Sequence, residues 1–116
     1  MKIQRFNDRN ENFEYNCYFR RLMPWKNTAD SDWGSGIARI DPCNATSPHK
    51  HTQSEIFIIL NGSGTIHIED KSEYVSDGDM VYIEPNKTHS LENTEKENPL
   101  VMLCIWWFEK GGKNDK

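Results

Sequence analysis

The sequence predicts a single all-β domain, a sandwich or barrel of short strands, and three observations carry that expectation. Apolar positions nowhere keep the three-to-four spacing of an amphipathic helix. Instead, runs of β-branched and aromatic residues follow one another about every 8–12 residues, the rhythm of sheets joined by tight connections. The runs stop on turn formers: Asp41–Pro42, Asn61–Gly62–Ser63–Gly64, Asp77–Gly78–Asp79 and Pro85–Asn86.

Taken in order, residues 1–16 are dense in Asn, Asp, Glu and Arg around isolated Ile3, Phe6 and Phe13, which suits an edge strand or an ordered arm. A short apolar patch follows, Tyr18–Phe19 and then Leu22–Met23–Pro24–Trp25, in which Pro24 excludes a helix. Asn27 to Asp32 reads as a polar loop. The first clear strand is Ile37–Ile40; the next, Glu55–Leu60, ends on a hairpin-type turn. Thr65–Glu69 alternates polar and apolar, as a half-buried strand does. Tyr74–Val75 and Met80–Ile83 are shorter, and Leu100–Phe108 reads as a strand buried on both faces. The expected organisation is an N-terminal arm with an edge strand over residues 1–33, a barrel over 34–109, and a frayed tail over 110–116.

At 116 residues the chain suits one domain, with no room for a separate nucleotide-binding unit. Fourteen Lys and Arg against eighteen Asp and Glu leave a net charge of -4, so no basic field exists to displace counterions from nucleic acid. Three widely spaced cysteines argue against a disulfide framework and for a reducing compartment. The first residues lack an apolar leader, and the longest uncharged run, Asn98–Phe108, is about half a membrane helix. A cytoplasmic protein without nucleic-acid or membrane partners is expected.

Chemistry concentrates in the histidines. His49, His51 and Glu55 all occupy odd positions, so an extended chain in register points them to one face. Two imidazoles and a carboxylate, joined by His89 after the Pro85–Asn86 turn, form a ligand set for a first-row metal. The plainer alternative is a surface histidine pair beside a strand-edge charge. Phe57, two beyond Glu55, shares its face as pocket wall or core. His67 lies on an alternating strand, either solvated or lining a pocket. Tyr82 is either a packing residue or an acid–base group near the metal, and His67 and Glu84 are the other two candidate bases. Arg39 either points outward or meets a substrate carboxylate inside. Cys104 reads as a buried thiol, Cys43 as a loop residue or a thiol at the mouth. Trp106 and Trp107 present one indole to each face of the last strand.

These residues stand in a pattern that resembles the cupin superfamily. Its first motif, a glycine, two histidines one residue apart, a glutamate and a closing glycine, is met at the required intervals by His49, His51, Glu55 and Gly62, with Cys43 at the first glycine position. In its second motif Gly78, His89 and Asn93 are in place, Glu84 stands at the usual proline and Asn86 at the usual glycine. The departures fall on turns, and asparagine tolerates a positive φ better than most residues. The resemblance implies a double-stranded β-helix, or jelly-roll barrel, of two packed antiparallel sheets. It also implies one divalent transition metal (Fe, Mn, Ni, Zn or Cu) on His49, His51, Glu55 and His89, a small-molecule substrate, and a homodimer. The implied activity is that of a metal-dependent enzyme, a dioxygenase-like oxidoreductase first. An isomerase, lyase or decarboxylase, or a non-catalytic metal- or ligand-binding protein, are the alternatives.

Overall fold

Alternating strands of this kind hide one face each, and here they do so by facing one another in two antiparallel sheets. The computed structural model describes residues 1–7 and 10–109. Among these, nine strands follow in order: β1 (Asn12–Glu14), β2 (Cys17–Met23), β3 (Trp33–Ile40), β4 (Ser54–Asn61), β5 (Ser63–Ile68), β6 (Lys71–Ser76), β7 (Met80–Ile83), β8 (His89–Asn93) and β9 (Leu100–Trp107). The larger sheet has the order β1-β2-β3-β9-β4-β7 and the smaller β6-β5-β8. The stretch before β4 runs beside β8, bridging Ala45 to Glu92 and His49 to His89. The result is the all-β jelly-roll barrel expected. Among the described residues no helix is long and apolar enough to cross a membrane. The tail expected to fray, 110–116, lies outside the described residues.

Inward positions change character along the barrel, and this creates the site. At one end Ile40, Ile59, Ile83, Leu91 and Leu100 are essentially inaccessible and fill the space between the sheets. Further along the same strands the inward residues are Ala38, Phe57, Met102, Cys104 and Trp106, which line a cavity. The large rings fit because β3 is small opposite them. A Cβ added to Gly34 would lie 2.3 Å from Trp106 Nε1, and one on Gly36 2.4 Å from Phe19 Cζ.

Two strands were not legible as strands. β2, read as an apolar patch in an arm, is an integral member of the large sheet, paired with β3 from Tyr18–Arg39 to Met23–Ser35. β8 carries polar residues inward, His89 and Asn93, each buried with specific partners. The last strand also corrects its reading, since β9 buries Leu100, Met102 and Cys104 but leaves Val101, Leu103 and Ile105 half-buried. Those outer residues continue across the sheet as two rows, Ile37–Leu103–Ile58–Met80 and Ser35–Ile105–Ile56–Tyr82.

The substituted turn positions keep the backbone that glycine would favour. Cys43 has φ 63° and Asn86 φ 64°, while the retained Gly62 and Gly78 have φ 105° and 87°. Cys43 holds its place through the loop, its N–H donating to the Glu95 carbonyl at 3.0 Å.

Candidate metal centre

Three elements bring the histidines together. His49 and His51 lie on the stretch entering β4, Glu55 is its second residue, and His89 opens β8. Reciprocal backbone bonds between His49 and His89, at 3.2 and 3.0 Å, fix the two segments side by side. The ring centroids then lie 4.6 Å (His49–His89), 5.1 Å (His51–His89) and 5.6 Å (His49–His51) apart. One nitrogen from each of the three falls within 4.8 Å of the others. Glu55 Oε1 stands 3.0 Å from His51 Nε2 and 3.3 Å from His89 Nε2.

Each imidazole is oriented by the backbone next to it. His49 Nδ1 donates to the Ser47 carbonyl at 3.0 Å, His51 Nδ1 to Gln53 at 3.0 Å, and His89 Nδ1 to Lys87 at 2.8 Å. With each Nδ1 committed as donor, the Nε2 atoms are left for the cluster, as outer partners do for ligating histidines. His51 Nε2 meets Glu55, whereas His89 Nε2 is buried and makes no hydrogen bond despite its closeness to the carboxylate. A buried nitrogen without a partner is costly in a native protein, and a cation among these atoms would satisfy it. The donor set, imidazole nitrogens with one carboxylate, suits a divalent transition metal.

Electrostatics agree with the geometry. Burial pushes Glu55 up, but the hydrogen bond from His51 and the nearness of His89 outweigh it and hold the carboxyl below the usual range. The bond to Glu55 raises His51, while burial lowers His49 and so favours its neutral, ligand-competent form.

A cavity of about 560 Å³ adjoins the cluster. Phe57, one of its walls, meets His89 edge-on at 5.8 Å between centroids. Opposite stand Cys17, Phe19 and Met102, with Arg21 and Lys50 as the charged residues lining it beyond the cluster. Burial, with Glu14 nearby, pushes the Cys17 thiol up to about 11, and burial raises Cys104 as well, so neither supplies a thiolate.

Other sequence candidates lie elsewhere. Arg39 points outward, because β3 buries Gly34, Gly36, Ala38 and Ile40; it pairs with Glu11 at 2.8 Å and lies over the Tyr18 ring. His67 sits outside the small sheet between Ser72 Oγ (2.7 Å) and Glu92 Oε1 (3.0 Å), since Gly64 and Ile66 take the inward places. Tyr82 is on the outer face of β7, its hydroxyl near Ser54 Oγ and donating to Glu109 at 3.1 Å. Ser54 also donates to Glu109. Glu84 is exposed and does not line the cavity. Sequence reading missed Tyr15 and Arg21, which the β1–β2 hairpin carries to the mouth. The only local signal was Asn16, a residue suited to a left-handed turn.

Two antiparallel sheets closed around an apolar cavity, with three imidazoles and a carboxylate converging at its end, define a small β-barrel built to hold a metal ion. The chain belongs to the cupin family, whose domain model matches residues 36–106, more than half of its length. It is 31% identical over 71 residues to the dimethylsulfoniopropionate lyase DddW of Ruegeria pomeroyi, covering 61% of this chain and 47% of the lyase. It is 33% identical over 57 residues to an oxalate-binding protein of Thermotoga maritima, covering 48% of this chain and 47% of the relative. The chain thus spans about half the length of the curated relatives it matches. Among solved structures, a cupin 2 conserved barrel domain protein from Salinispora arenicola superposes with a TM-score of 0.84 at 24% identity, over 98% of this chain and 94% of that one. Likeness at that identity speaks for the fold alone.

Proposed function

We propose that this cupin is a metal-dependent enzyme acting on a small anionic molecule with an apolar part, most simply as a dioxygenase-like oxidoreductase. The observation that carries the reading is the buried, unbonded Nε2 of His89 facing Glu55 and two further imidazoles. His49, His51, Glu55 and His89 would hold the ion, which would supply Lewis acidity and, where redox-active, electrons for dioxygen chemistry. The chain's own part is to orient and to exclude water. Phe57, Phe19 and Met102 give the cavity an apolar wall, and Arg21 and Lys50 at the mouth favour a negatively charged group. Tyr82, His67 and Glu84 lie outside the cavity, which leaves Tyr15 and Lys50 at its mouth as the side chains beyond the cluster able to move a proton. With no base among the cavity's inner walls, the metal would supply most of the reactivity, which favours oxygen chemistry over elimination. The lyase reading is kept by one observation, the likeness to a dimethylsulfoniopropionate lyase.

Elemental analysis of purified chain beside a His49→Ala/His89→Ala variant tests the centre. Near-stoichiometric metal, lost in the variant, is expected. Oxygen uptake with a panel of small carboxylates then separates the reactions: consumption of dioxygen supports the oxidoreductase, and equal turnover under nitrogen supports the lyase. Metal without turnover under either gas would leave a binding protein, and no metal after reconstitution would overturn the reading.

On the outer face of the large sheet Ile37, Leu103, Ile58 and Met80 form one row and Ile105, Ile56 and Tyr82 the next, half-buried to exposed with Met80 at 59%, bounded by Arg20 beside Ile37 and by the buried Ser35 beside Ile105. They support a homodimer in which this face is covered. Sedimentation of the whole chain checks it; a single 13.6 kDa species would remove the idea. The three unpaired cysteines support a reducing compartment such as the cytoplasm.

A further inference from the structure

Six of the cavity's lining residues, Tyr15, Cys17, Phe19, Arg21, Met23 and Pro24, precede the family-matched segment, and one of them touches the histidine cluster. The β1–β2 hairpin turns on Tyr15 and Asn16, both left-handed, at φ 54° and 64°. Left-handed backbone costs an ordinary L-residue roughly 1–2 kcal/mol, so the surrounding contacts must hold it. They do. Ser47 N–H donates to the Tyr15 carbonyl at 2.9 Å. Asn16 Nδ2 lies 2.8 Å from both Asn44 Oδ1 and the Ala45 carbonyl. The hairpin tip is thereby stapled to the stretch that leads into His49.

Above that staple the Tyr15 ring stacks on the His49 imidazole, with centroids 4.7 Å apart and an interplanar angle of 24°. The Ser47 carbonyl takes the Nδ1–H of the same imidazole. His49 is therefore held on its edge by the residue that anchors Tyr15 and on its face by Tyr15 itself. His89 is fixed by burial, whereas His49 stands half-buried at the mouth, and among the described residues these two contacts restrain its ring from outside the cluster.

We propose that Tyr15 is a positioning residue of the metal centre, so that the N-terminal hairpin is part of the site rather than an accessory arm. The proposal rests on the metal reading above. An imidazole that gives its lone pair to a cation gains positive character, and the electron-rich face of a phenol ring stabilises that state. The stack also narrows the ring's orientations, which lowers the entropy lost when the fourth ligand closes on an ion.

Cobalt(II) titration of the full chain, followed by visible absorption, tests it with Tyr15→Phe, Tyr15→Gly and Tyr15→Asn. Glycine and asparagine both tolerate the left-handed backbone, so these variants remove the ring without straining the turn. Both are expected to weaken cobalt binding by about 10-fold or more, in the range seen when outer partners of ligands are lost, and to shift the absorption band. Tyr15→Phe keeps the stack and should restore affinity and spectrum. A merely structural role would lower the melting temperature without moving the band. Wild-type affinity and spectrum in both Tyr15→Gly and Tyr15→Asn would overturn this proposal alone. Failure of the wild-type chain to take cobalt would overturn it together with the metal reading.

Discussion

His89→Ala is expected to remove metal binding while leaving a folded barrel. The residue is 2% exposed, and its Nε2, 3.3 Å from Glu55 Oε1, is the cluster nitrogen that is buried without a hydrogen bond. Loss of a partner that only orients a ligand costs roughly 10–100-fold in affinity, and loss of the ligand itself should cost more. Folding should suffer far less. The substitution gives up one hydrogen bond, to the Lys87 carbonyl, and opens a cavity. It also removes a buried nitrogen that no hydrogen bond satisfies, although Glu55 Oε1 stands 3.3 Å away, and this offsets part of that cost. The expected outcome is metal content near zero with a melting temperature within about 10 °C of wild type. Elemental analysis paired with a thermal melt checks both halves. Full metal occupancy in the variant would remove His89 from the ligand set.

A residue is legible in the sequence when its local pattern alone sets its place in the fold. The barrel was legible because β5 alternates by its own composition, β3, β4 and β9 carry short apolar runs of strand length, and the turn residues between them have local reasons to be there. Strands whose inward residues serve a partner were not. In β8 the inward places hold His89, Leu91 and Asn93, so the strand reads as a polar loop, and only the motif spacing marked His89. In β2 the alternation is hidden by Arg20 and Arg21. The first lies against the Phe6 ring, and the second stands at the cavity mouth paired with Glu14 at 2.8 Å.

The candidate site divides the same way. The parity of His49, His51, Glu55 and Phe57 is a property of one extended segment, and the structure keeps it. Arg39 has a parity too, but its inward or outward sense depends on β3 placing its glycines under Trp106 and Phe19, which no local pattern reveals. Tyr15 reaches His49 only because a turn far away in sequence is pinned to Ser47. Contacts of that kind are written in tertiary structure alone.

Asn93→Ala should be the most damaging single change to stability outside the apolar core. Asn93 closes the second motif, next in line after the ligand histidine, yet its side chain lies at the filled end of the barrel and is wholly buried. Its amide donates to the Ile40 carbonyl at 3.0 Å and to the Asn98 carbonyl at 2.9 Å, and its Oδ1 accepts from Glu95 N–H at 3.0 Å. One side chain therefore ties the end of β3, the end of β8 and the loop that leads into β9. Alanine leaves these backbone groups without their partner. At about 1–3 kcal/mol for a buried group left unsatisfied, as at Ile40, and about 1 kcal/mol for each of the two part-buried groups that water can reach, the loss is on the order of 3–5 kcal/mol, a large part of a domain's net stability. The melting temperature should fall by on the order of 10–20 °C. Asn93→Asp should be no better, because a carboxylate in that place would face two carbonyl oxygens with no proton to give. Metal affinity of the fraction that remains folded should stay near wild type, since Asn93 touches none of the histidines. Thermal melts combined with a metal titration at low temperature separate the two effects. A melt within about 2 °C of wild type would show that water or loop rearrangement replaces all three bonds, and that the motif's asparagine is there for another reason.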